Sequence, residues 1–420
     1  FYQMQFLLSF QECNSVRYEK EPFNFNDTMI DVTITPEGFG RYANRNIHFA
    51  ESYLQKITIP PIEADIKLFR LKFEDVKISR AQFSDLDFQF HDKGLHANLN
   101  KWKLEMIFQF SVRQTTFPYV EDSGDGRFSF TIDGAMAVVQ IDSPNCKGHL
   151  NIFTESMQLK ITDFLVKIEG KLSFIYDAIL QPLTTFLEKE FNTALQPILS
   201  QAIIGLANTE LDFMDVWSWT NVPNLNVDQR WIVTIENKNL VARSIGQIGY
   251  YINENGTALM TEHNESMKRQ APKRNMMSNN HMQYSTQLDV YQKAADMMLK
   301  HYNTLSFNST FDMKRFEHTG MIMAVNSTAY QAELLLDIHM VTEVMAIAYN
   351  RSQFRMEVKK TLKCTGDCKD INLHVNELNQ VFKMVSPTYT NTNGVDVENC
   401  VRIYVDEKWV RFGCQMAKEF

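Results

Sequence analysis

Long stretches of the chain alternate apolar and polar residues, a pattern typical of β-strands with one buried and one solvent-facing side. The first stretch is 31–35, and a longer series runs from Ile66 to Ile161. Its apolar positions are Ile66, Leu68, Leu71, Phe73, Val76, Ile78, Leu86, Phe88, Phe90, Leu95, Ala97, Leu99, Trp102, Leu104, Met106, Phe108, Phe110, Val112, Phe128, Phe130, Ile132, Leu159 and Ile161. We interpret the glycine-rich segment 122–126 as a polar hairpin loop within this series. The pattern predicts an antiparallel sheet that packs on one side only.

Two stretches have helical periodicity instead. Pro36-Glu37-Gly38 opens the first, whose apolar stripe reaches Leu54 before Pro60-Pro61 ends it. The second stripe runs from Phe174 to Ala207 in steps of three and four, and at about 1.5 Å per residue it predicts a helix roughly 50 Å long. A coiled coil is the alternative, but the stripe is wider than a coiled-coil seam and the neighbouring strands offer a sheet as partner. The sequence therefore predicts a long helix wrapped by a strongly curved antiparallel sheet.

The second half of the chain repeats this order in a shorter form. Segment 216–230 is irregular in pattern and predicts a linker, and 262–287 predicts a polar insert. The other elements predicted here are strands near 231–235 and 241–252, a helix at 288–302, strands at 305–313, 319–325, 330–348 and 353–363, a helix at 375–385 and a strand pair at 400–413. The fold class is therefore α+β, with an N-terminal segment at 1–27, a first domain at 28–215 and a second domain at 231–420.

The composition adds an unusual apolar mix to this pattern. The 420 residues include 30 Phe and 21 Met, which suit either an irregular core or a surface that binds soft apolar ligands. Compositional drift is the alternative, since Asn is also abundant. Residues 1–220 contain 20 Lys and Arg against 29 Asp and Glu, a net charge of −9. This acidic half argues against nucleic-acid binding and against anionic membrane surfaces.

Several weak signals indicate passage through the secretory pathway. The N-terminal segment contains a short apolar run, Phe6-Leu7-Leu8, followed by small and polar residues, as at the end of a secretory signal. The sequence has no run of about 18 uncharged apolar residues, so it predicts no membrane-spanning helix. We expect a secreted or lumenal monomer. Six N-x-S/T sequons are glycosylation candidates, namely Asn26, Asn255, Asn264, Asn308, Asn326 and Asn350.

The cysteines favour disulfides over a metal centre. Cys364 and Cys368 flank a turn, and Cys400 and Cys414 belong to the predicted final strand pair, so a disulfide within each pair is sterically reasonable. A zinc site is the alternative, but no second pair of Cys or His stands at ligand spacing beside the first pair. The other cysteines are Cys13 and Cys146.

The sequence has no motif that carries catalysis. It contains no nucleophile elbow, zinc-protease motif, dinucleotide-binding motif or P-loop. His91 and His96 flank a turn, and this favours a solvated hairpin tip over a metal pair. The acidic cluster of Glu121, Asp122 and Asp125 lacks the ligand spacing of a calcium loop. We therefore predict a protein that is not an enzyme and uses no cofactor or metal.

Five segments resemble the family of bactericidal/permeability-increasing protein, lipopolysaccharide-binding protein and lipid transfer proteins. The runs Val32–Ala43 (VTITPEGFGRYA) and Tyr53–Pro60 (YLQKITIP) are similar to the opening of the family. Asn100–Lys103 (NKWK) is similar to its K-W-K element, and Glu190–Pro197 (EFNTALQP) to the end of its long helix. Tyr284–Tyr291 (YSTQLDVY) is similar to the strand-to-helix entry of its second barrel. The resemblance covers about residues 28–413.

The resemblance implies a boomerang of two tubular lipid-binding domains joined through a central sheet. Each tube is expected to hold a phospholipid or neutral lipid against its helices, and the affinity comes from buried area at about 0.8 kcal/mol per CH₂. Met298, on an inner face of the predicted helix 288–302, is one expected contact. The positions that match the family's pocket lining are Tyr42, Ile47, Tyr53 and Leu54 on the first helix and Ile175, Ile179, Leu183, Leu187, Phe191, Leu195 and Ile198 on the long helix.

Two departures from the family pattern affect what the resemblance implies. The family's first-domain disulfide joins a cysteine like Cys146 to one on the long helix, where this chain has Thr184, so Cys146 is either unpaired or bonded to Cys13. Endotoxin-binding members also carry a basic first-domain tip, whereas here Lys101-Trp102-Lys103 runs straight into Leu104-Glu105-Met106.

The sequence therefore predicts a lipid-binding protein, with lipid transfer as its expected activity. We expect transient contact with a membrane or lipid particle and no nucleic-acid partner. One alternative is a lipopolysaccharide-binding defence protein. The other is a non-catalytic structural or interaction module without a ligand.

Overall fold

The computed structural model describes most of the chain between residues 28 and 416. The described residues are 28–45, 47, 54–55, 57, 59–91, 94–141, 152–171, 179–189, 191, 193, 197, 201, 204–205, 217–219, 225–228, 231–244, 246, 248–254, 257–260, 280–302, 309–327, 331–346, 351–385, 388–390 and 397–416. They form a mixed structure that is mostly sheet and contains four helices.

Contacts within the chain divide these residues into two compact units. The first unit contains the described residues of Pro36–Ile141 and Ile152–Glu210, and the second unit those of Phe1–Thr35 and Leu211–Ala417. The helices are α1 (Pro36–Arg45) and α2 (179–189) in the first unit, and α3 (Leu288–Tyr302) and α4 (Ile371–Met384) in the second. The described positions beyond α2, from 191 to 205, are also helical.

The strands are antiparallel to their neighbours wherever they pair. The first unit contains β2 (Ile62–Ile66), β3 (Phe69–Gln82), β4 (Leu86–His91), β5 (Gly94–Gln114), β6 (Glu121–Ile141) and β7 (Ile152–Glu169). The second unit contains β1 (Ile30–Ile34), β8 (Trp217–Trp219), β9 (Leu225–Asp228), β10 (Trp231–Glu236), β11 (Asn239–Ser244), β12 (Ile248–Glu254), β13 (Thr257–Met260), β14 (Met282–Gln287), β15 (Ser309–Glu317), β16 (Gly320–Ser327), β17 (Gln331–Ala346), β18 (Arg351–Gly366), β19 (Thr388–Thr390), β20 (Val397–Val405) and β21 (Trp409–Met416).

One curled sheet forms most of the first unit. Its strand order is β2-β3-β5-β6-β7, and β4 pairs with part of β5. β-bulges interrupt the pairings of β3 with β5, β5 with β6 and β6 with β7. Each bulge increases the local twist, and this lets strands as long as β5 and β6, with 21 residues each, curl around a core. Buried and exposed residues alternate along β5, so the predicted one-sided packing is confirmed.

Three sheets build the second unit. The largest has the order β10-β11-β1-β14-β21-β20, and the others are β15-β16-β17-β18-β19 and β13-β12-β9-β8. Helix α3 follows β14 directly and packs against β15, and α4 packs against β18 and α3. The helix predicted at 288–302 is confirmed with the same bounds. The helix predicted at 375–385 begins four residues earlier and ends one residue earlier.

The prediction of a hairpin loop at 122–126 was wrong. These residues lie in β6, where Gly124 is opposite Phe110 and Gly126 is opposite Phe108. A Cβ atom on Gly126 would lie 2.3 Å from Cζ of Phe108, and one on Gly124 would lie 2.0 Å from the carbonyl oxygen of Glu169. Both glycines therefore make room within the sheet, whereas the turn between β5 and β6 is 115–120.

The prediction of a polar insert at 262–287 was also wrong for its last six residues. Residues 282–287 form β14, and all six are buried between β1 and β21. Four of these residues are polar, namely Gln283, Ser285, Thr286 and Gln287. A central strand with such a sequence has no apolar alternation, and for that reason the pattern did not reveal it.

Three smaller predictions of local structure are corrected. The predicted linker 216–230 contains β8 and β9, which pair with each other. The single strand predicted at 241–252 is divided between β11 and β12, with Gly246 at a φ of +62° between them. Leu68, predicted on an inward strand face, lies in the turn between β2 and β3 and is 50% exposed. The domain boundaries predicted from the sequence stay predictions.

Two disulfides join the cysteine pairs expected from the sequence. Cys364 and Cys368 close the end of β18, with their Cα atoms 6.1 Å apart. Cys400 and Cys414 link β20 to β21, with their Cα atoms 4.1 Å apart. Cys13 and Cys146 lie outside the described residues, and so do all the sequons except Asn326, which stands near the end of β16.

Candidate functional site

The apolar seam of the long helix is buried against the curled sheet of the first unit. Ile179, Leu183 and Leu187 are spaced by one helical turn each, and none of them is exposed. Phe191, one turn further on, is 1% exposed. We call the cluster to which they belong the first-unit interior. It consists of Leu54, Ile59, Ala64, Ile66, Leu71, Phe73, Val76, Ile78, Ala81, Leu99, Trp102, Leu104, Met106, Phe108, Phe110, Val112, Phe128, Phe130, Ile132, Ile161, Phe164, Val166, Ile179, Leu183, Leu187 and Phe191.

Aromatic rings connect the helix to the sheet. The Phe191 ring centroid lies 5.1 Å from that of Phe128, 5.8 Å from that of Phe130 and 5.3 Å from that of Phe164. Phe128 stacks on Phe108 with a centroid distance of 4.0 Å. These contacts place Phe191 of the helix seam directly on the inner faces of β6 and β7.

The first-unit interior is free of buried charge in the part of the chain that the structure describes. The buried acidic and basic side chains among the described residues are Asp31, His374, Glu377 and Arg411, and all four belong to the second unit. Desolvation therefore penalises any charged group that enters the first-unit interior, whereas a hydrocarbon chain pays no such penalty.

The interior of the second unit is different in chemistry. Many of its buried apolar side chains are methionines, among them Met321, Met323 and Met356. His374 and Glu377 lie one turn apart on α4, with Nδ1 and Oε2 separated by 3.1 Å, and both are buried. The ring of His374 faces that of Phe311 with centroids 6.3 Å apart. This interior therefore contains an ionisable pair, whereas the first-unit interior is apolar.

Burial raises the pKa of two tyrosines beside this second interior. Tyr284, on β14, has its pKa raised well above the ordinary value by desolvation, and the same cause raises the pKa of Tyr291 to about 12. Their rings contact Phe354 and Phe382, with centroid distances of 5.2 and 5.0 Å. Burial therefore favours the neutral form of both hydroxyls.

The structure places several of the predicted pocket residues in the first-unit interior. Ile179, Leu183, Leu187, Phe191 and Leu54 are members of it, and Ile47 packs against its edge. Tyr42 is half-buried on α1. Tyr53, Ile175, Leu195 and Ile198 lie outside the described residues, as does the side chain of Met298. Their assignment to a lipid pocket stays a prediction.

Sequence reasoning left the sheet side of this interior out of the site. Phe73, Phe108, Phe128 and Phe164 contact one another or the helix seam across four strands. Their period-of-two spacing was the available signal, but spacing alone does not tell which residues of different strands meet.

The predicted histidine pair lies on the hairpin of β4 and β5. The rings of His91 and His96 are 4.4 Å apart, and both residues are exposed. Among the described residues, no group of three or more His, Cys, Asp or Glu side chains is arranged to hold a metal ion. The helices in this part of the chain include none that is long and apolar enough to span a bilayer.

Comparisons with known proteins give no sequence relationship. No protein-family model matches the sequence, and no curated protein matches it significantly. A solved structure of lipopolysaccharide binding protein is similar to this chain, with a TM-score of 0.57 and 11% identity over 93% of this chain and 99% of that chain.

Two other solved structures were found at lower similarity. Takeout 1 from Epiphyas postvittana has a TM-score of 0.29 and 10% identity over 42% of this chain and 89% of that chain. P47 from Clostridium botulinum A2 has a TM-score of 0.23 and 8% identity over 93% of this chain and 98% of that chain. Neither of these values supports an argument about the fold. The chain therefore has a fold similar to that of lipopolysaccharide binding protein, and the boomerang arrangement stays a prediction.

Proposed function

We propose that this protein binds acyl lipid in the first-unit interior and carries it without catalysing a reaction. The observation that carries this proposal is the helix seam of Ile179, Leu183, Leu187 and Phe191, which lies on a curled apolar sheet face. The similar fold of lipopolysaccharide binding protein, whose name states a lipid-containing ligand, supports it. Each methylene of an acyl chain moved from water into such an interior contributes about 0.8 kcal/mol, so chain length and area determine the affinity.

Phospholipid or neutral lipid is the ligand class that fits the charge of the chain. Residues 1–220 have 20 basic against 29 acidic side chains, and this acidic excess repels a polyanion. Lipopolysaccharide is the alternative ligand, and electrostatic capture of it predicts binding that weakens steeply as salt is raised. Binding of phosphatidylcholine that is insensitive to salt, together with weak binding of lipopolysaccharide, supports the proposal.

An exposed apolar tip at one end of the curled sheet is the proposed contact with a zwitterionic lipid surface. Phe117 is 85% exposed, Tyr119 is 58% exposed, and their ring centroids lie 6.3 Å apart. The neighbouring turn presents Leu68, whose carbonyl oxygen accepts a hydrogen bond from the Thr115 amide at 2.7 Å. We call Leu68, Phe117 and Tyr119 the aromatic tip.

The charges around the aromatic tip favour a neutral lipid surface. Arg113 pairs with Glu121 at 3.0 Å, and Arg70 pairs with Asp65 at 2.9 Å. These two pairs cancel and the exposed Lys67 beside Leu68 adds one positive charge, so the field that attracts anionic lipid is weak, whereas exposed aromatic side chains partition into the interfacial region of a bilayer. The tip therefore fits a phosphatidylcholine surface better than an anionic one.

Replacement of the tip aromatics tests this contact. Phe117→Ser with Tyr119→Ser is expected to weaken binding to phosphatidylcholine vesicles at least tenfold, since full burial of one such side chain contributes about 1.5–3 kcal/mol. Leu165→Ser is the matched control, because Leu165 is 60% exposed on β7 and lies outside the tip. Equal binding by the tip variant and the control would contradict a role of the tip.

We propose that the protein works in an oxidising compartment. The two disulfides are typical of secreted and lumenal proteins, and the sequons are consistent with glycosylation there. We propose a secreted or lumenal monomer that contacts membranes or lipid particles transiently and transfers lipid between them.

Lipid recovery from the purified full chain tests the main proposal. Native mass spectrometry and organic extraction are expected to give intact acyl lipid at a fixed ratio to protein. The delipidated protein is expected to take up a fluorescent phospholipid from self-quenched vesicles. If no lipid co-purifies and none is taken up, the lipid-binding proposal is wrong and the alternative of an interaction module without a ligand is favoured. Recovery of hydrolysed lipid would instead contradict the proposal that the protein carries lipid without catalysing a reaction.

A further inference from the structure

Trp102 brings a hydrogen-bond donor, its indole N–H, into the apolar first-unit interior. It lies on β5, is 4% exposed and belongs to the apolar cluster that contains the helix seam. The ring of Phe83 packs against its indole with centroids 4.3 Å apart and planes inclined by 68°. Its position is therefore inside the proposed lipid-binding region.

A β-bulge directs Trp102 inward. The pairing of β5 with β6 shifts between Leu99 and Trp102, and Lys101 has a φ of +50°. Asn100 and Lys101 are consecutive exposed residues, so the strict alternation that would bury Lys101 and expose Trp102 is interrupted. The Lys101 amide donates a hydrogen bond to Oδ1 of Asp133 at 2.8 Å, which fixes the bulge.

The indole N–H of Trp102 has no hydrogen-bond acceptor among the described residues. Its Nε1 atom is fully buried and forms no hydrogen bond to any described residue. None of the side chains in the first-unit interior contains a carbonyl or carboxylate oxygen. A buried donor without an acceptor is rare in proteins and costs free energy, so such a group calls for a partner such as a ligand or a water molecule.

We infer that the Trp102 N–H donates a hydrogen bond to an ester carbonyl of the bound acyl lipid, an inference that rests on the proposed function. An ester carbonyl accepts hydrogen bonds but donates none, and the indole nitrogen donates but does not accept. In an apolar interior each group is costly to bury alone, and the pair satisfies both. Trp102 thereby selects lipids with acyl esters over ether lipids of the same shape, which lack the carbonyl.

Competition between matched lipids tests the inference. Delipidated full-length protein is loaded with a fluorescent phospholipid, which is displaced by diacyl phosphatidylcholine or by dialkyl ether phosphatidylcholine of equal chain length. We expect the wild-type protein to prefer the diacyl lipid by roughly fivefold, the size of one net hydrogen bond. Trp102→Phe keeps an aromatic ring but removes the donor, so its preference should fall to within about twofold, mainly through weaker diacyl binding.

Trp409→Phe is the matched control. Trp409 is 4% exposed, like Trp102, but lies on β21 in the second unit, so this variant should keep the wild-type preference. A wild-type protein that binds both lipids equally, or a Trp102→Phe variant that retains the preference, would overturn the inference and leave lipid binding intact. Uptake of neither lipid by the wild-type protein would overturn the proposed function as well.

Infrared spectroscopy of the wild-type protein gives an answer that does not depend on how well the variant folds. Diacyl phosphatidylcholine with ¹³C-labelled ester carbonyls is bound to the protein, and its carbonyl stretch is compared with that of the lipid in dry apolar solvent. A hydrogen-bonded carbonyl is expected at lower frequency. An unshifted stretch for all bound carbonyls would overturn the inference.

Discussion

The ring of Phe191 meets that of Phe128 edge to face, with centroids 5.1 Å apart and planes inclined by 73°. One ring belongs to the helical segment beyond α2 and the other to β6, so this contact joins the helix to the sheet. Phe128 is completely buried, and Phe191 is 1% exposed. A geometry of this kind adds to the stabilisation that comes from burial alone.

Removal of the Phe191 ring should therefore destabilise the first unit strongly. Phe191→Ala is expected to lower the free energy of unfolding by about 3–5 kcal/mol, through lost burial and the cavity left between the helix and the inner faces of β6 and β7. Leu180→Ala is the control, because Leu180 is 36% exposed on α2 and its truncation should cost much less. Urea denaturation of the two variants measures both values, and similar losses would contradict this packing of the helix on the sheet.

Two glycines should respond to alanine substitution in opposite directions. Gly40 lies inside α1, and an added Cβ there would make an ordinary contact of 3.5 Å with Phe88. Gly40→Ala should stabilise the protein by about 0.5–1 kcal/mol, because alanine loses less backbone entropy in a helix. Gly124→Ala should destabilise it by more than about 1 kcal/mol, because its Cβ meets the Glu169 carbonyl oxygen. Thermal unfolding of the two variants tests this contrast, and a shift of both in the same direction would contradict it.

His339 should make stability depend on pH. Burial lowers the pKa of His339 from its ordinary value of 6.5, and the facing Glu357 opposes this shift only in part. His339 in the folded state therefore binds a proton less tightly than in the unfolded state, so its contribution to stability is fully present above pH 6.5 and falls as the pH is lowered through that value. Between about pH 8 and about pH 5, His339→Gln should lose less stability than the wild-type protein. Parallel urea midpoints for the two proteins would contradict this role.

The two disulfides should differ in their resistance to reduction. Cys368 is exposed at the end of β18, whereas Cys414 is completely buried on β21. Thiol–disulfide exchange requires access of the attacking thiolate, so a mild reductant should open Cys364–Cys368 first. Timed alkylation followed by peptide mass spectrometry reports the order. Reduction of Cys400–Cys414 at the same rate or faster would show that access does not determine it.

The helix seam and the one-sided strands were accessible from sequence because each repeats a simple period. Ile179, Leu183 and Leu187 follow the helical period, and the alternation from Leu104 to Val112 follows the strand period. Both patterns arise from burial of one face, and this physical cause operates locally. The spacing of apolar residues therefore suffices to assign the inward faces of these elements.

Other features depended on pairing between distant residues. The sequence pattern around Gly124 and Gly126 predicts a turn, whereas the strand pairing places these glycines opposite Phe110 and Phe108. The polar strand β14 gains its burial from β1 and β21, more than 120 residues away on either side along the chain. The unpartnered Trp102 donor likewise depends on a bulge and on what surrounds it. Local pattern carries no information about these relationships.

The position of β1 has a consequence for the biogenesis of the protein. Ile30 of β1 pairs with Ser244 of β11 on one side and with Thr286 of β14 on the other. The strand made first in the six-stranded sheet therefore joins strands that are made more than 200 residues later. At about 5–20 residues per second, a ribosome needs on the order of 10–50 s to supply β14 after β1. The early strand has no native partner until β11 is made, so it stays unpaired for most of that time, and its exposed edge is then a target for chaperones. Synthesis of the C-terminal half, rather than collapse of the nascent N-terminal half, therefore sets the earliest moment at which this sheet can close.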